Sequence, residues 1–238
     1  MKRNIIHDGV SIKIFETDDP QKVIIHFTDE ITAFNKIKKA VIKDKGIYCN
    51  GISCEISRLL QKGGVPTHFI EQISDTEQLC WKSQVIPMEV IVRNMIAGSM
   101  AQRLGLEEGI IPKEPVYDLC YKSDILCDPI INDYHAVALG LVSKEELERI
   151  YSLTKQVNSI LTPVFKEIGI TLVDFKIEFG HLSDGRLVMS DDITPDSARF
   201  WDIATGERLD KDRFRRDNGH VGEAYRTVYE RLTGKKID

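Results

Sequence analysis

The chain has no P-loop, no Rossmann glycine pattern and no nucleophile elbow. A glycine-cradled dinucleotide and covalent catalysis through serine therefore lack support. Its six histidines (His7, His26, His68, His135, His181 and His220) never fall at metal-ligand spacing, which argues against zinc. Cysteine is sparse: the five residues Cys49, Cys54, Cys80, Cys120 and Cys127 are odd in number and form no C-x-x-C pair. They read as reduced packing thiols of a cytoplasmic protein. No stretch approaches the ~20 apolar residues of a membrane span. A signal peptide is not expected either, because basic residues 1–4 are followed only by Ile5-Ile6 before His7-Asp8. Positive charge is not in excess. The net charge of −5 and pI near 5.7 speak against nucleic acid or a membrane surface as partner, while leaving room for local basic pockets. Internal repeats and low-complexity segments are also missing.

What is present suffices for a substantial core, with 42% hydrophobic residues over 238 positions. The first third reads as β-rich, with strands at 11–15 and 22–28 around the turn signal Asp18-Asp19-Pro20 and a tight turn at Gly9. A helix is predicted over 50–62, capped by Asn50, with Ile52, Ile56, Leu59 and Leu60 on one face and Gly63-Gly64 at its end. Strands at 66–71, 78–82 and 85–93 follow. The last, IPMEVIVR, is β-branched enough to be central, and Pro87 sits near its start, where a strand tolerates proline. Residues 114–132 read as one long irregular loop of functional length. Ser143 and Glu146 form a capping box for a long amphipathic helix that Pro163 should kink or split and Gly169 should stop. Residues 194–216 read as polar loop, and 219–232 as a last helix.

The densest chemistry lies in 172–180, LVDFKIEFG. In an extended chain Val173, Phe175, Ile177 and Phe179 share one face, and Asp174, Lys176 and Glu178 the other, about 6.6 Å apart at roughly 3.3 Å per residue. Asp184-Gly185 predicts a two-residue hairpin turn with Ser183 facing Arg186. That register sets Glu178 opposite Asp191. Like charges so opposed are destabilising, unless a cation lies between them, as magnesium does when carboxylates and phosphate oxygens share it. A solvated polar face in a slipped register is the other reading.

Anion-binding features lie elsewhere. Arg93 ends a strand six residues before Ser99, which follows Gly98 at a helix start, a combination suited to phosphate or carboxylate or to an ordinary capped ion pair. The acidic run 191–196 leads into Arg199, and 210–217 carries Arg213, Arg215 and Arg216. Both runs suit an anion or a zwitterion, and both could satisfy themselves as loop networks.

At these residues the chain resembles the SAICAR synthetase family, the phosphoribosylaminoimidazole-succinocarboxamide synthases. The most specific pieces are IPMEVIVRNMIAGS at 86–99 and LVDFKIEFG at 172–180, supported by GGVPTHFIE, YKSDILCDP, SDDITPDSARFWD and LDKDRFRRD. The resemblance implies an α+β fold of two lobes, a β-rich N-terminal lobe (1–84) and a larger α/β lobe (85–238), with ATP in the cleft between them. It implies ligation of carboxyaminoimidazole ribotide to L-aspartate with ATP and magnesium, through an acyl phosphate. A homodimer or larger homo-oligomer is implied as well. By the same resemblance Glu178 and Asp191 are the magnesium carboxylates, and Gly9, Lys13 and Lys122 join them in binding ATP. Arg93, Ser99, Asp196, Arg199 and Arg215 hold the ribotide and its surroundings. Asp174 and Lys176 lie by the reacting groups.

Four positions, in three segments, depart from the family pattern. Its N-terminal Gly-Lys-x-Lys reads Gly9-Val10-Ser11-Ile12 here, Trp81 stands where lysine is usual, and Ser123 replaces asparagine in the K-N-D loop. Either the register slips to bring Lys13 in, or Lys36 or Lys38 substitutes, or ATP is held weakly. A paralogous carboxylate–amine ligase and a catalytically weak binding protein remain as alternatives.

Overall fold

A computed structural model describes residues 3–34 and 37–237. Strands β1 (Ile5–Asp8), β2 (Ile12–Glu16) and β3 (Lys22–Phe27) form an antiparallel meander, followed by the hairpin β4 (Glu30–Ala33) and β5 (Lys38–Val41). Helix α1 (Lys45–Lys62) then leads to β6 (Phe69–Gln72) and β7 (Glu77–Trp81), which complete a sheet of order β1-β2-β3-β7-β6. Helix α1 buries Cys49, Ile52, Ile56 and Leu60, a stripe at helical spacing. It starts five residues before the expected cap. Asn50 lies fully buried inside the helix, and its Nδ2 donates to the carbonyls of Ser74 (3.0 Å) and Asp75 (2.9 Å) in the β6–β7 turn. A buried amide needs partners, and here the turn supplies them where a helix cap was expected.

Strand β8 (Gln84–Arg93), helix α2 (Gly98–Leu104) and strands β9 (Val116–Tyr121) and β10 (Ile130–Ile131) begin the second sheet. Helices α3 (Asp133–Ala138) and α4 (Lys144–Glu167) precede the 12-residue β11 (Ile170–His181), then β12 (Leu187–Met189) and β13 (Ala198–Asp202). Helices α5 (Asp212–Arg215) and α6 (Val221–Thr233) close the chain. The sheet order is β10-β9-β8-β11-β12, and β13 pairs with the first half of β11. Strand β8 is central, as expected. Two stretches read as loop contain strands, β9 and β13, because their apolar alternation is broken by Asp118, Arg199 and Asp202 at positions that turn out to hold ion pairs.

Pro163 neither splits α4 nor ends it. Pro163 and Ser159 are both exposed, so the carbonyl it leaves unbonded lies on the solvent side, while Leu161 and Phe165 anchor the inner face. The β11–β12 hairpin is one residue longer in its loop than expected. Phe179 pairs with Met189, and Leu182 N–H donates to Arg186 O at 3.0 Å, leaving Ser183–Asp184–Gly185 as the loop. Gly185 takes φ +83° and Asp184 Oδ1 accepts Arg186 N–H at 3.1 Å, the three-residue turn form. The last helix packs back on α1 through Tyr48 and Tyr229, ring centroids 5.8 Å apart, so both sheets share one hydrophobic core.

Candidate active site

The β1–β2 turn faces the polar ends of β8 and β11 across a cavity of about 620 Å³. Gly9, Val10 and Ile12 line one wall and Lys122, Lys176 and Glu178 the other. The turn is pinned by Thr28, whose hydroxyl donates to Val10 O at 2.5 Å and whose N–H donates to Ser11 O at 3.0 Å.

Alternation along β11 puts Lys176 and Glu178 on the cavity face, as the sequence implied. The register shift moves Glu178 opposite Ser190, whose N–H donates to Glu178 O at 3.0 Å. The like charge facing Glu178 is Glu89, its partner across the β8–β11 ladder. Lys176 resolves the clash: its ammonium donates to Glu89 Oε1 (2.7 Å) and Glu178 Oε1 (3.3 Å). Lys122 donates to Glu178 Oε2 at 2.5 Å. Asp191 leaves the hairpin past the end of β12 and still reaches the cluster, its Oδ2 lying 3.6 Å from the Lys176 ammonium. Burial, then Asp191, raises the Glu178 carboxyl above its usual range, and burial also raises Glu89. Burial opposes ionisation of Lys176, but Asp191, Glu178 and Glu89 outweigh it and hold its pKa well above the ordinary lysine value. Loss of hydration, then the charge of Asp191, pushes the half-buried Asp192 up to about 7.

A second cavity of about 620 Å³ opens beside α2, lined by Ser99, Arg199, Arg215 and Arg216. Gly98 has φ +53°, and a Cβ there would lie 2.2 Å from Arg199 Nη2, so only glycine lets the guanidinium lie against the helix start. Arg199 donates to Asp174 Oδ2 (2.7 Å) and to Asp212 Oδ2 (2.8 Å), while Arg215 donates to Asp212 Oδ1 (2.6 Å). Burial would raise the Asp212 carboxyl, but the two guanidinium groups overcome it and bring it down to about 2.

Arg93 and Asp174, expected at substrate, lie beneath this floor, 2% and 3% exposed. Arg93 donates to Asp118 Oδ2 (2.6 Å), to Asp174 (3.4 Å) and to Ser99 Oγ (3.4 Å), so it braces the cavity without lining it. Asp196 is half-buried and accepts from Lys45 Nζ and Tyr225 OH, both at 2.8 Å. Lys13 does not slip into the cleft. It stays paired with Asp8 (2.9 Å) in the β1–β2 register Asp8↔Lys13. Lys38 is held by Phe214 O and Asp217, and Lys36 lies outside the described residues. Sequence reasoning passed over Glu89, Asp212 and Lys211. A lone glutamate inside the apolar run of β8 was the available signal for the first.

The carboxylates fit a magnesium held jointly with phosphate. Asp191 Oδ2 is buried without a hydrogen-bond partner beside Glu178. No group of three or more metal-ligating side chains converges among the described residues, so the protein does not supply a closed cage by itself.

A family model described as SAICAR synthetase matches residues 5–232. The chain belongs to the SAICAR synthetase family. The phosphoribosylaminoimidazole-succinocarboxamide synthase of Clostridium beijerinckii is 52% identical over 232 residues, 98% of this chain and 99% of its own. The solved structure of the synthase of that name from Ehrlichia chaffeensis gives a TM-score of 0.96 at 42% identity, covering 98% of this chain and all of its own. A SAICAR synthetase solved in complex with ADP gives 0.94 at 43% identity, over 99% and 100% of the two chains. The chain is thus an ATP-dependent ligase of purine biosynthesis, and its two-sheet α+β fold is that of the family. In this chain one wall of the cleft carries Lys122, Lys176 and Glu178. The opposing turn presents Val10 and Ile12, which carry no charge.

Proposed function

We propose that the cleft between the β1–β2 turn and β11 binds magnesium-ATP, and that the cavity at Ser99, Arg199 and Arg215 binds the phosphate of carboxyaminoimidazole ribotide. The observation that carries this is the juxtaposition of the two sites on one strand, Glu178 and Lys176 at the first and Asp174 under the second. An oxygen of the ribotide carboxylate attacks the γ-phosphorus, the bond to the bridging oxygen breaks, and ADP leaves. The amine of L-aspartate then attacks the acyl phosphate carbon, phosphate departs, and the nitrogen loses a proton. Neither step needs a protein nucleophile, so catalysis rests on positioning and charge.

Lys176 sits between the sites and neutralises developing charge. Asp174 is a positioning residue, fixing Arg199 and Arg93 from below. Glu178 and Asp191 would hold magnesium. When bound, that ion would neutralise phosphate oxygens and polarise the phosphorus.

The five cysteines are free thiols, four of them buried, which supports a reducing, cytoplasmic setting. No helix among the described residues is long and apolar enough to cross a membrane. Exposed Ile125, Leu126, Tyr134 and Leu139, clustered before α4, support assembly with further copies of the chain. Ultraviolet absorbance with ATP, magnesium, ribotide and L-aspartate tests the reaction. Absence of product under these conditions, with ADP released on another acid or amine, would overturn the substrate assignment.

A further inference from the structure

We propose that Lys211 is the cation that grips the transferring phosphoryl group, supplying from the C-terminal loop the charge that the β1–β2 turn does not offer. The inference rests on the nucleotide reading above and assigns a residue to it.

A third cavity of about 260 Å³ continues the nucleotide cleft inward and shares Ser11, Ile12, Lys176 and Asp191 with it. Lys211 lines it as well. The next residue, Asp212, lines the ribotide cavity and carries Arg199 and Arg215. Lys211 therefore stands between a cavity that shares residues with the nucleotide cleft and a residue of the ribotide cavity, where we place the passage of the γ-phosphoryl group. Its backbone is fixed there, N–H to Pro195 O at 2.9 Å.

The other cations at this junction are engaged. Lys122 and Lys176 are held by Glu178, Glu89 and Asp191. Lys45 takes Asp196, the acid nearest Lys211 in charge, with Tyr225 on its other oxygen. Among the described residues the half-buried ammonium of Lys211 has no hydrogen-bond or ion-pair partner. Burial first, and then the like charges of Arg215 and Lys45 working against Asp196, draw its pKa below the usual lysine value. Asp196, already bonded to Lys45 and Tyr225, offsets the Lys211 charge only in part; a half-buried cation so incompletely compensated is unfavourable, and an entering anion relieves it. The phosphoryl group in transit spreads negative charge over three oxygens, which a compact ammonium on a flexible stem can follow. In this role Lys211 stays protonated and transfers nothing.

The test compares wild type, Lys211→Gln and Lys211→Arg as full-length protein. Calorimetry measures magnesium-dependent binding of ADP and of a non-hydrolysable ATP analogue, and steady-state kinetics follow. Lys211→Gln should bind ADP as wild type does and the γ-phosphate analogue about tenfold more weakly, as for loss of one charge-assisted contact. Its kcat should fall by a larger factor with the KM for L-aspartate unchanged, and Lys211→Arg should recover part of both losses. Equal analogue binding in wild type and variant, or an effect confined to the KM for L-aspartate, would overturn the proposal. Wild type binding neither nucleotide would instead remove the nucleotide reading itself. Thermal melting checks the fold, and the arginine variant carries the comparison if glutamine lowers it.

Discussion

Lys176→Met is the perturbation that most directly interrogates the cleft. Three carboxylates surround one ammonium at 2.7, 3.3 and 3.6 Å. At an effective dielectric near 20, each such contact amounts to roughly 5–6 kcal/mol of Coulomb energy before desolvation. Removing one partner from a buried charged cluster typically costs about 3–5 kcal/mol. The lysine side chain is 30% exposed, which places this case near the lower end, about 3 kcal/mol. For a chain of this size that corresponds to a fall in Tm of roughly 6–12 °C.

The pH dependence separates this from a packing defect. Glu89 and Glu178 already have folded-state values above the ordinary 4.5, and without Lys176 both rise further. A carboxyl raised on folding destabilises only above its unfolded value. The difference between variant and wild type should therefore be small near pH 4 and grow as pH rises through the window above 4.5. On the alkaline side wild type keeps the contribution of Lys176 until pH passes its raised value, above 10.5. Differential scanning fluorimetry across pH 4–9, with and without millimolar magnesium, reads both effects. Magnesium should stabilise the variant more than wild type, because it answers the same carboxylates. A Tm loss that is equal at pH 4.5 and pH 8, or insensitive to magnesium, would refute the view that Lys176 holds this cluster.

Glu178→Gln should abolish turnover and remove the magnesium dependence of ADP binding, measured by calorimetry; normal activity would overturn the metal assignment. Val10→Lys should lower the KM for ATP several-fold if the turn covers the phosphates, and an unchanged value would assign that task elsewhere. Gly98→Ala puts a Cβ 2.2 Å from an Arg199 nitrogen that Asp174 and Asp212 hold in place. Stability should drop by about 1–3 kcal/mol from strain at positive φ, and the ribotide KM should rise while nucleotide binding is kept.

Side-chain period was legible in the sequence and ladder register was not. Alternation alone says that Lys176 and Glu178 share a face, and they do. Which residue opposes Glu178 depends on a loop length that Asp184-Gly185 leaves open between two and three residues, and the longer form wins through Gly185 at positive φ and the Asp184 bond to Arg186 N–H. The expected clash of like charges is real, yet its partner is Glu89 from the neighbouring strand, which no local pattern links to Glu178. Strands β9 and β13 were hidden for a related reason. Asp118, Arg199 and Asp202 interrupt their alternation, and long-range ion pairs at those positions compensate for what local propensity lacks.

Asp191 reaches the cluster although the register that first placed it there is wrong, and the cause explains how the site is built. Strand β12 ends at Met189, so a one-residue shift in the ladder moves Ser190 opposite Glu178 and frees Asp191 to bend into the cleft. Asp192 N–H on Asp191 Oδ1, 2.9 Å, fixes that bend. The element that joins the two cavities is therefore β11. From Asp174 to Glu178 it advances four residues, about 13 Å at 3.3 Å per residue, which sets the distance between the floor of the proposed ribotide cavity and the carboxylates of the proposed nucleotide cleft. Lys176 falls midway on the same face. On the proposed assignment one strand spaces the phosphoryl donor from its acceptor and places a cation along the path, and the stretch from β12 to α5 brings Asp191, Arg199 and Lys211 to it.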